Sequence, residues 1–269
     1  MFSFALVLMM LAGIVVGLVM GLTGAGGGIL AVPVLVYSQG WTMQQAMPVA
    51  LLAVTVGAVI GAIEGFSKNL VRYRAALLMA LAGCFPTWLG IQLAQHLSQA
   101  WLMRCFAVLL ILVAMRLYSQ LRRHVHAEDK KSCLAQVNAN TGRFDWNARS
   151  AAVIASIGGV AGLSSGLLGV GGGFIIVPML RHFTNVSMHG AVATSLFVIS
   201  LVGTMGVGMA VANGASLPLL LSALFVTTTV IGTLAARKIA AHLPTNVVQR
   251  IFIALLLAVA VSMLYRVTG

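Results

Sequence analysis

A glycine-rich stretch occurs twice in this chain, each time inside a long apolar region and each time followed by a proline. The first copy covers residues 24–28 and precedes Pro33, and the second covers residues 169–173 and precedes Pro178. Each position of the second copy lies 145 residues after its counterpart in the first. Three successive glycines cost a helix about 3 kcal/mol relative to alanine, so both stretches predict a helix break at matching places.

The repeat continues on both sides of the glycines without a gap. At the same offset, Gly17, Gly21, Leu35, Met43, Ala46, Leu51 and Gly61 match Gly162, Gly166, Leu180, Met188, Ala191, Leu196 and Gly206. Such a fixed offset indicates an internal duplication. We therefore predict two homologous halves, residues 1–120 and 150–269, joined by a basic linker at residues 121–149.

The composition places both halves in a membrane. Hydrophobic residues make up 60% of the chain, charged residues only 7%, and the mean hydropathy is +1.04. A soluble domain carries about 25% charged residues, and a helix that spans a bilayer needs about 20 apolar ones. We predict an all-α, polytopic membrane protein of about eight transmembrane helices, at residues 2–22, 43–63, 75–93, 101–118, 151–168, 191–211, 217–236 and 247–264.

An apolar segment too short to span follows each glycine stretch, at residues 29–38 and 174–180. Ten helical residues rise ~15 Å, about half of a ~30 Å hydrocarbon core. We predict that a half-helix begins after each stretch, with Pro33 in or just beyond its first turn, where a missing N–H group costs little. The alternative interpretation is that the glycines let two helices pack closely, as small residues do in membranes.

The basic residues flank the apolar runs, which favours loops at an anionic membrane face over nucleic-acid binding for this chain of net charge +12. The linker is expected in the cytoplasm, and simple alternation of the spans would put both termini there too. The same alternation, however, puts Arg181, Arg237 and Lys238 on the outer side. An inverted repeat, in which a crossing broken segment gives each half an odd number of passes, would explain these charges. The sequence leaves both topologies open.

The glycine breaks are the predicted substrate site. A broken helix presents unpaired backbone N–H groups and the positive end of a half-helix dipole, and glycine lets a small oxyanion approach that backbone. The candidate binding residues are Gly24, Gly26, Gly27, Gly28, Pro33, Gly169, Gly171, Gly172, Gly173, Pro178, Thr194 and Ser195. Thr23, Ser164 and Ser165 are further candidate donors. All of these hydroxyls are equally well interpreted as hydrogen-bonding groups between or within helices.

Other chemistry has little support. The sequence shows no cluster of acids, no metal-ligand spacing and no Lys-Ser/Thr after either glycine stretch, so we expect no catalytic residues, no metal site, no cofactor and no enzyme activity. The three cysteines are interpreted as structural or incidental thiols. Glu64 and Lys68 form a predicted i,i+4 pair, and Arg104 and Arg250 are expected to extend towards the membrane interface.

The motif Gly-x-x-Gly-x-Gly-Gly-Gly-x-x-x-x-Pro-x-Leu, at residues 21–35 and 166–180, resembles the TauE/SafE sulfite-exporter family. The run Ala-Val-Ala-Thr-Ser-Leu at residues 191–196 is similar to that family too, whereas residues 47–51 depart from it as Met-Pro-Val-Ala-Leu. The resemblance covers nearly the whole chain. It implies a carrier of the bacterial inner membrane that moves sulfite or organosulfonates, usually outward.

The expected partners are therefore a small anionic substrate and the lipid bilayer, with no nucleic acid and with the oligomeric state open. Two alternatives to a secondary transporter remain at this point, an anion channel and a membrane partner protein that transports nothing.

Overall fold

The computed structural model describes residues 2–23, 27–123, 147–184, 186–215, 217–240 and 245–268, which are predominantly helical. Eight helices in these ranges are long and apolar enough to cross a membrane: α1 (Phe2–Thr23), α3 (Met43–Ser67), α4 (Tyr73–His96), α5 (Gln99–Arg123), α6 (Ala148–Leu168), α8 (Met188–Ala212), α9 (Leu219–Ala240) and α10 (Thr245–Thr268). The shorter α2 (Ala31–Gln39), preceded by a 3₁₀ turn (Gly27–Leu30), and α7 (Gly173–Phe183) follow the two glycine stretches. The eight predicted spans and the two broken segments are confirmed. Gly24, Gly26 and most of the predicted linker lie outside the described residues.

Side-chain caps at matching positions set where two central helices start. The hydroxyl of Thr42 accepts a hydrogen bond from the N–H of Gln45, whose side-chain oxygen accepts from the N–H of Thr42 in return. Ser187, the counterpart of Thr42, accepts from the N–H of Gly190 at 3.2 Å. A cap of this kind stabilises a helix by about 1 kcal/mol. The cap at Ser187 explains why α8 begins three residues earlier than hydropathy alone suggested.

The two halves interlock by reciprocal packing. The first helix of each half packs along the fourth helix of the other, α1 on α9 and α6 on α4. The counterparts α3 and α8 pack on each other, as do α5 and α10. When the two halves are swapped, the α1–α9 pair becomes the α6–α4 pair, and the α3–α8 and α5–α10 pairs map onto themselves. A two-fold relation between the halves requires this pattern. Among the long helices of the described ranges, α3 is the most deeply buried.

Glycine stripes make the close contacts of these interfaces. Gly13, Gly17 and Gly21 face α9, and their counterparts Gly158, Gly162 and Gly166 face α4. A methyl group on Gly21 would lie 2.6 Å from the carbonyl oxygen of Thr233, and one on Gly166 would collide with that of Thr87, the counterpart of Thr233. Close packing through small residues therefore holds along α1 and α6, while the glycine stretches after these helices are true breaks.

Equivalent helices run in opposite directions. Towards one end of the α3–α8 contact, a methyl group on Gly65 would lie 2.9 Å from the Cβ of Ala193, and towards the other end Gly203 abuts Thr55. Residue numbers thus rise along α3 while they fall along α8. A two-fold relation that pairs antiparallel counterparts has its axis perpendicular to the helices, so the duplication is inverted.

The glycine stripes confirm the direction of the remaining helices. Gly13, Gly17 and Gly21 contact successively later residues of α9, so α1 and α9 are parallel. Since α8 and α9 are joined by a short loop and α8 opposes α3, α1 and α3 also point the same way. The broken segment between α1 and α3 must therefore carry the chain back across the bundle. In the second half, α7 does the same between α6 and α8.

This topology collects the basic residues at one end of the bundle, which we call the basic face. The helix ends and loops of this face carry Lys68, Arg72, Arg74, Arg122, Arg123, Arg149, Arg181, Arg237, Lys238 and Arg250. The other end, the opposite face, carries Arg104 and Arg266 in the described ranges. Of the two topologies that the sequence left open, simple alternation of eight spans does not hold. Because the broken segments cross, Arg181 and Arg237 lie at the same face as the end of α5 and the start of α6, while α1 begins and α10 ends at the opposite face.

Candidate functional site

The second glycine break depends on three left-handed backbone positions. Gly169, at the C-terminal end of α6, has φ of 69°, and Gly171 and Gly172 have φ of 78° and 70°. These angles strain any residue that carries a Cβ, whereas glycine adopts them freely. The chain can therefore leave α6 and start α7 at Gly173 within five residues, as the glycine run predicted.

The first break is built differently in the part that the structure describes. Gly27 starts a 3₁₀ turn that leads directly into α2, so Pro33 is the third residue of α2 and the seventh of the continuous helical segment Gly27–Gln39. Pro178 is the sixth residue of α7. Both prolines therefore lie just beyond the first turn of their half-helices, the later of the two positions expected for Pro33.

The two breaks meet halfway along α3 and α8. A methyl group on Gly28 would lie 2.8 Å from a methyl carbon of Val54 and 3.4 Å from the carbonyl oxygen of Val170. One on Gly171 would lie 2.9 Å from a methyl carbon of Ile199 and 3.0 Å from one of Val54. Val54 and Ile199 are counterparts, are fully buried, and each lies near the middle of a 25-residue helix. The structure thus brings together one glycine of each stretch, Gly28 and Gly171.

Both half-helices begin near this meeting point. The first starts as the 3₁₀ turn at Gly27 and continues through helical Leu30 into α2. The second, α7, starts at Gly173 with no side-chain cap, whereas Thr42, Asn147 and Ser187 cap α3, α6 and α8. The N–H groups of a first helical turn have no acceptor within the helix, and the N-terminus carries about half a positive charge. Two such ends, lined by glycine and facing each other, suit a small anion.

Thr194 and Ser195 lie on α8, on the side of the meeting point towards the basic face. The hydroxyl of Thr194 accepts a hydrogen bond from the backbone N–H of Arg72 at 3.0 Å, so it ties α8 to the loop between α3 and α4. Ser195 is one helical turn before Ile199, is fully buried, and its hydroxyl has no partner among the described residues. Thr194 thus has a structural contact already, while Ser195 has an unused donor.

A cavity of about 60 Å³ opens on the other side of the meeting point. It is lined by Gln44, Met47, Pro48, Leu51, Ile91, Ala94, Gln95, Ser165, Gly166, Gly169, Gly206, Ala210 and Ala215. The cavity extends from exposed Gln95 at the opposite face to Leu51, about one turn before Val54. Ser165 is fully buried, and its hydroxyl has no hydrogen-bond partner in the part of the chain that the structure describes.

Sequence reasoning missed the amides at the cavity mouth and an arginine inside a span. Gln44 donates to the carbonyl oxygen of Leu97 at 3.1 Å, a contact that no local pattern reveals. Arg116, within α5, donates to the carbonyl oxygen of Pro178 at 3.1 Å. An arginine inside an otherwise apolar run is a signal that could have been used, since intramembrane charges usually serve a function.

Two further charged groups that the sequence singled out make contacts near the ends of the helices. Lys68 and Glu64 are 2.6 Å apart and largely exposed, which confirms the i,i+4 pair. The guanidinium of Arg104 lies 5.6 Å from the ring centre of Trp101, near the opposite face. Among the described residues, no group of three His, Cys, Asp or Glu side chains is placed to hold a metal ion.

The fold and the site together define a class of protein: a polytopic α-helical membrane protein of two inverted halves with paired broken helices, an arrangement typical of secondary transporters. Residues 9–263 match the family model described as Sulfite exporter TauE/SafE, and the chain belongs to this family. It is a membrane transporter.

Relatives with curated names agree with this assignment. The chain is 30% identical over 196 residues to a probable membrane transporter protein of Xylella fastidiosa strain 9a5c, covering 72% of this chain and 69% of the relative. It is 25% identical over 207 residues to the probable membrane transporter protein YunE of Bacillus subtilis, covering 74% and 76%. No solved structure matches the chain.

Proposed function

We propose that this protein is a secondary transporter that exports a small sulfur-containing anion, sulfite or an organosulfonate, across a bacterial-type inner membrane. The observation that carries the proposal is the meeting of two half-helix starts, the 3₁₀ turn at Gly27 and α7 at Gly173, beside Val54 and Ile199, halfway along the most buried helices. The family's description as sulfite exporters supports the choice of cargo.

The basic face is the cytoplasmic one in this proposal. Loops rich in Lys and Arg stay in the cytoplasm, and ten of the described basic residues lie at this face against two at the other. The linker at residues 121–149 then lies in the cytoplasm, and both ends of the described chain lie outside. A positive cytoplasmic surface also raises the local concentration of an anion that is to be exported.

In this proposal the substrate is recognised mainly by backbone N–H groups. N–H groups at the starts of the two half-helices donate hydrogen bonds to the oxyanion, and glycines at both breaks leave room for it because they carry no side chain. No bond in the substrate is made or broken, so no catalytic residue is required and the protein is not an enzyme. The substrate, the bilayer and no nucleic acid are its proposed partners.

Flux of radiolabelled sulfite into proteoliposomes, with and without a pH gradient, tests the proposal. We expect saturable flux that depends on the gradient. Flux that ignores the gradient would indicate an anion channel, and no flux of any oxyanion would indicate a membrane partner protein that transports nothing.

A variant pair locates the site in the same assay. Gly27→Leu and Gly172→Leu should each abolish flux in protein that is still inserted and monodisperse, which size-exclusion chromatography of each purified variant checks, because both side chains would crowd the breaks. Gly208→Leu is the matched control, since a side chain there meets no atom within 4 Å. Normal flux in both break variants would show that the breaks are not the site.

A further inference from the structure

The cavity beside Gly169 is a feature that the glycine breaks do not explain. We propose that it is a substrate subsite for a compact oxyanion of four or five heavy atoms, open at the opposite face and closed towards the basic face. This inference rests on the proposed transport function, and it adds the residues, the size of ligand and the side from which the subsite is reached.

The volume sets the size of the ligand. A water molecule requires about 10–15 Å³ on this measure, so 60 Å³ holds about four to six waters or one small oxyanion. Sulfite has four heavy atoms and methanesulfonate has five. A longer tail would have to leave through the mouth of the cavity at Gln95.

Ser165 supplies the free hydrogen-bond donor. Its hydroxyl is fully buried in the cavity wall and unpartnered among the described residues, while the amide group of Gln44 is already engaged with Leu97. An unsatisfied buried hydroxyl costs about 1–3 kcal/mol, and an oxyanion in the cavity would remove that cost. None of the described residues that line the cavity carries a carboxylate that would repel an anion.

The internal repeat shows that the counterpart of this cavity is packed shut. Pro48 and Ala210 line the cavity, and their counterparts at the basic face are Ala193 and Gly65. There a methyl group on Gly65 would lie 2.9 Å from the Cβ of Ala193 and 3.0 Å from a methyl carbon of Val71. The same pseudo-symmetric position is therefore open on one face and filled on the other.

Two further contacts seal the basic side. Thr194 holds the backbone N–H of Arg72 at 3.0 Å, and the rings of Phe66 and Phe197 meet edge to face with centres 4.8 Å apart. The counterpart of Thr194 beside the cavity is Val49, which has no hydroxyl group and so cannot make the corresponding hydrogen bond. A site that is reached from one face at a time is what a transporter needs, and the structure shows the state open at the opposite face.

Thiol labelling tests the accessibility and the ligand together. Gln95 lines the mouth of the cavity and is exposed, so the Gln95→Cys variant, made with Cys84, Cys105 and Cys133 changed to Ser, places one thiol where a maleimide can reach it. We expect a membrane-impermeant maleimide to label it from outside intact cells, and millimolar methanesulfonate to slow labelling at least fivefold. Methanesulfonate is the probe because sulfite itself reacts with maleimides. Labelling that methanesulfonate leaves unchanged would overturn the proposal.

Ser165→Ala provides the second measurement, by calorimetric titration of the purified full-length protein with sulfite and with methanesulfonate. Losing one hydrogen bond to a charged ligand should weaken binding by roughly 10- to 100-fold. Ser164→Ala is the matched control, because the hydroxyl of Ser164 donates to its own helix at the carbonyl of Val160 and lies outside the cavity lining. Equal affinities for the two variants would contradict the role of Ser165.

The outcomes separate this inference from the proposed function. Sulfite flux in proteoliposomes without protection of the introduced thiol would leave the transporter standing and remove the subsite. Protection of the thiol without flux of any oxyanion would leave an anion-binding cavity and remove the transporter.

Discussion

The second glycine break turns through three residues of left-handed backbone, whereas the described part of the first break winds directly into a right-handed 3₁₀ turn at Gly27. Gly27 and Gly172 are counterparts in sequence, yet glycine is needed at them for different reasons. A side chain on Gly27 would collide with the backbone of Met20, while Gly172 has both a crowded surrounding and a φ of 70°. In the first copy of the motif, glycine is needed because there is no room for a side chain. In the second copy it is needed both for lack of room and because the backbone is left-handed.

The two breaks nevertheless share one neighbour. Gly28 abuts Val54, and Gly171 abuts both Val54 and its counterpart Ile199. The two breaks therefore reach the same meeting point although the chain path into it has diverged. Substitutions at counterpart positions should show this divergence as unequal losses of stability.

Gly172→Ala should have the largest effect. A left-handed alanine costs about 1–2 kcal/mol, and its Cβ would lie 2.6 Å from the carbonyl oxygen of Ala161. We expect a total loss of about 3 kcal/mol or more, measured as a lower thermal midpoint in detergent. Gly214→Ala is the control, since its φ is 83° but no atom lies within 4 Å, and it should lose only the conformational part. Equal shifts for the two variants would show that crowding at Ala161 contributes nothing.

Gly28→Ala should have an intermediate effect. Its backbone is right-handed, and the added methyl group would clash with the two methyl carbons of Val54, at 2.8 and 2.9 Å, while the carbonyl oxygen of Val170 at 3.4 Å is in ordinary contact. Overpacking of this kind costs about 1–3 kcal/mol. Because the clash is with a side chain, combining it with Val54→Ala should restore part of the loss in a double-mutant cycle. Additive losses in the double variant would mean that the two residues do not touch.

The proline pair should show the smallest effect. Pro33→Ala and Pro178→Ala each supply an N–H group that can bond to a carbonyl group one turn earlier in its half-helix, which should raise stability by about 1 kcal/mol. Thermal midpoints of the two variants, measured side by side, check that the two gains are similar. A gain in one variant alone would contradict the matched helix positions of the prolines.

Local physics was sufficient to predict the spans and the breaks. Runs of about 20 apolar residues and three adjacent glycines leave the backbone few choices in a bilayer, so the helices and both breaks were found in their places. Contacts between distant parts of the chain could not be found this way. The hydrogen bond from the backbone N–H of Arg72 to the hydroxyl of Thr194 joins residues 122 positions apart. The cavity at Ser165 forms only when four helices pack together.

The direction of the helices needed those same distant contacts. Hydropathy gives the number of spans. It does not show whether the chain returns to the same face after a half-helix or continues to the opposite face. The antiparallel register of Gly65 with Ala193 and of Thr55 with Gly203 removes that ambiguity. The basic residues that conflicted with simple alternation then fall together at one face.

The account's central claim is that the two breaks enter from opposite faces of inverted halves and meet at Val54 and Ile199. The most direct test labels one cysteine at a time in counterpart loops, using Ser67→Cys and Ala212→Cys, both at exposed positions, in a background without native cysteines. In intact cells a membrane-impermeant maleimide should label the Ala212→Cys variant, and it should label the Ser67→Cys variant only after the membrane is permeabilised. Labelling of both variants from the same side would mean that the halves are parallel, and would contradict the meeting of two opposed half-helices.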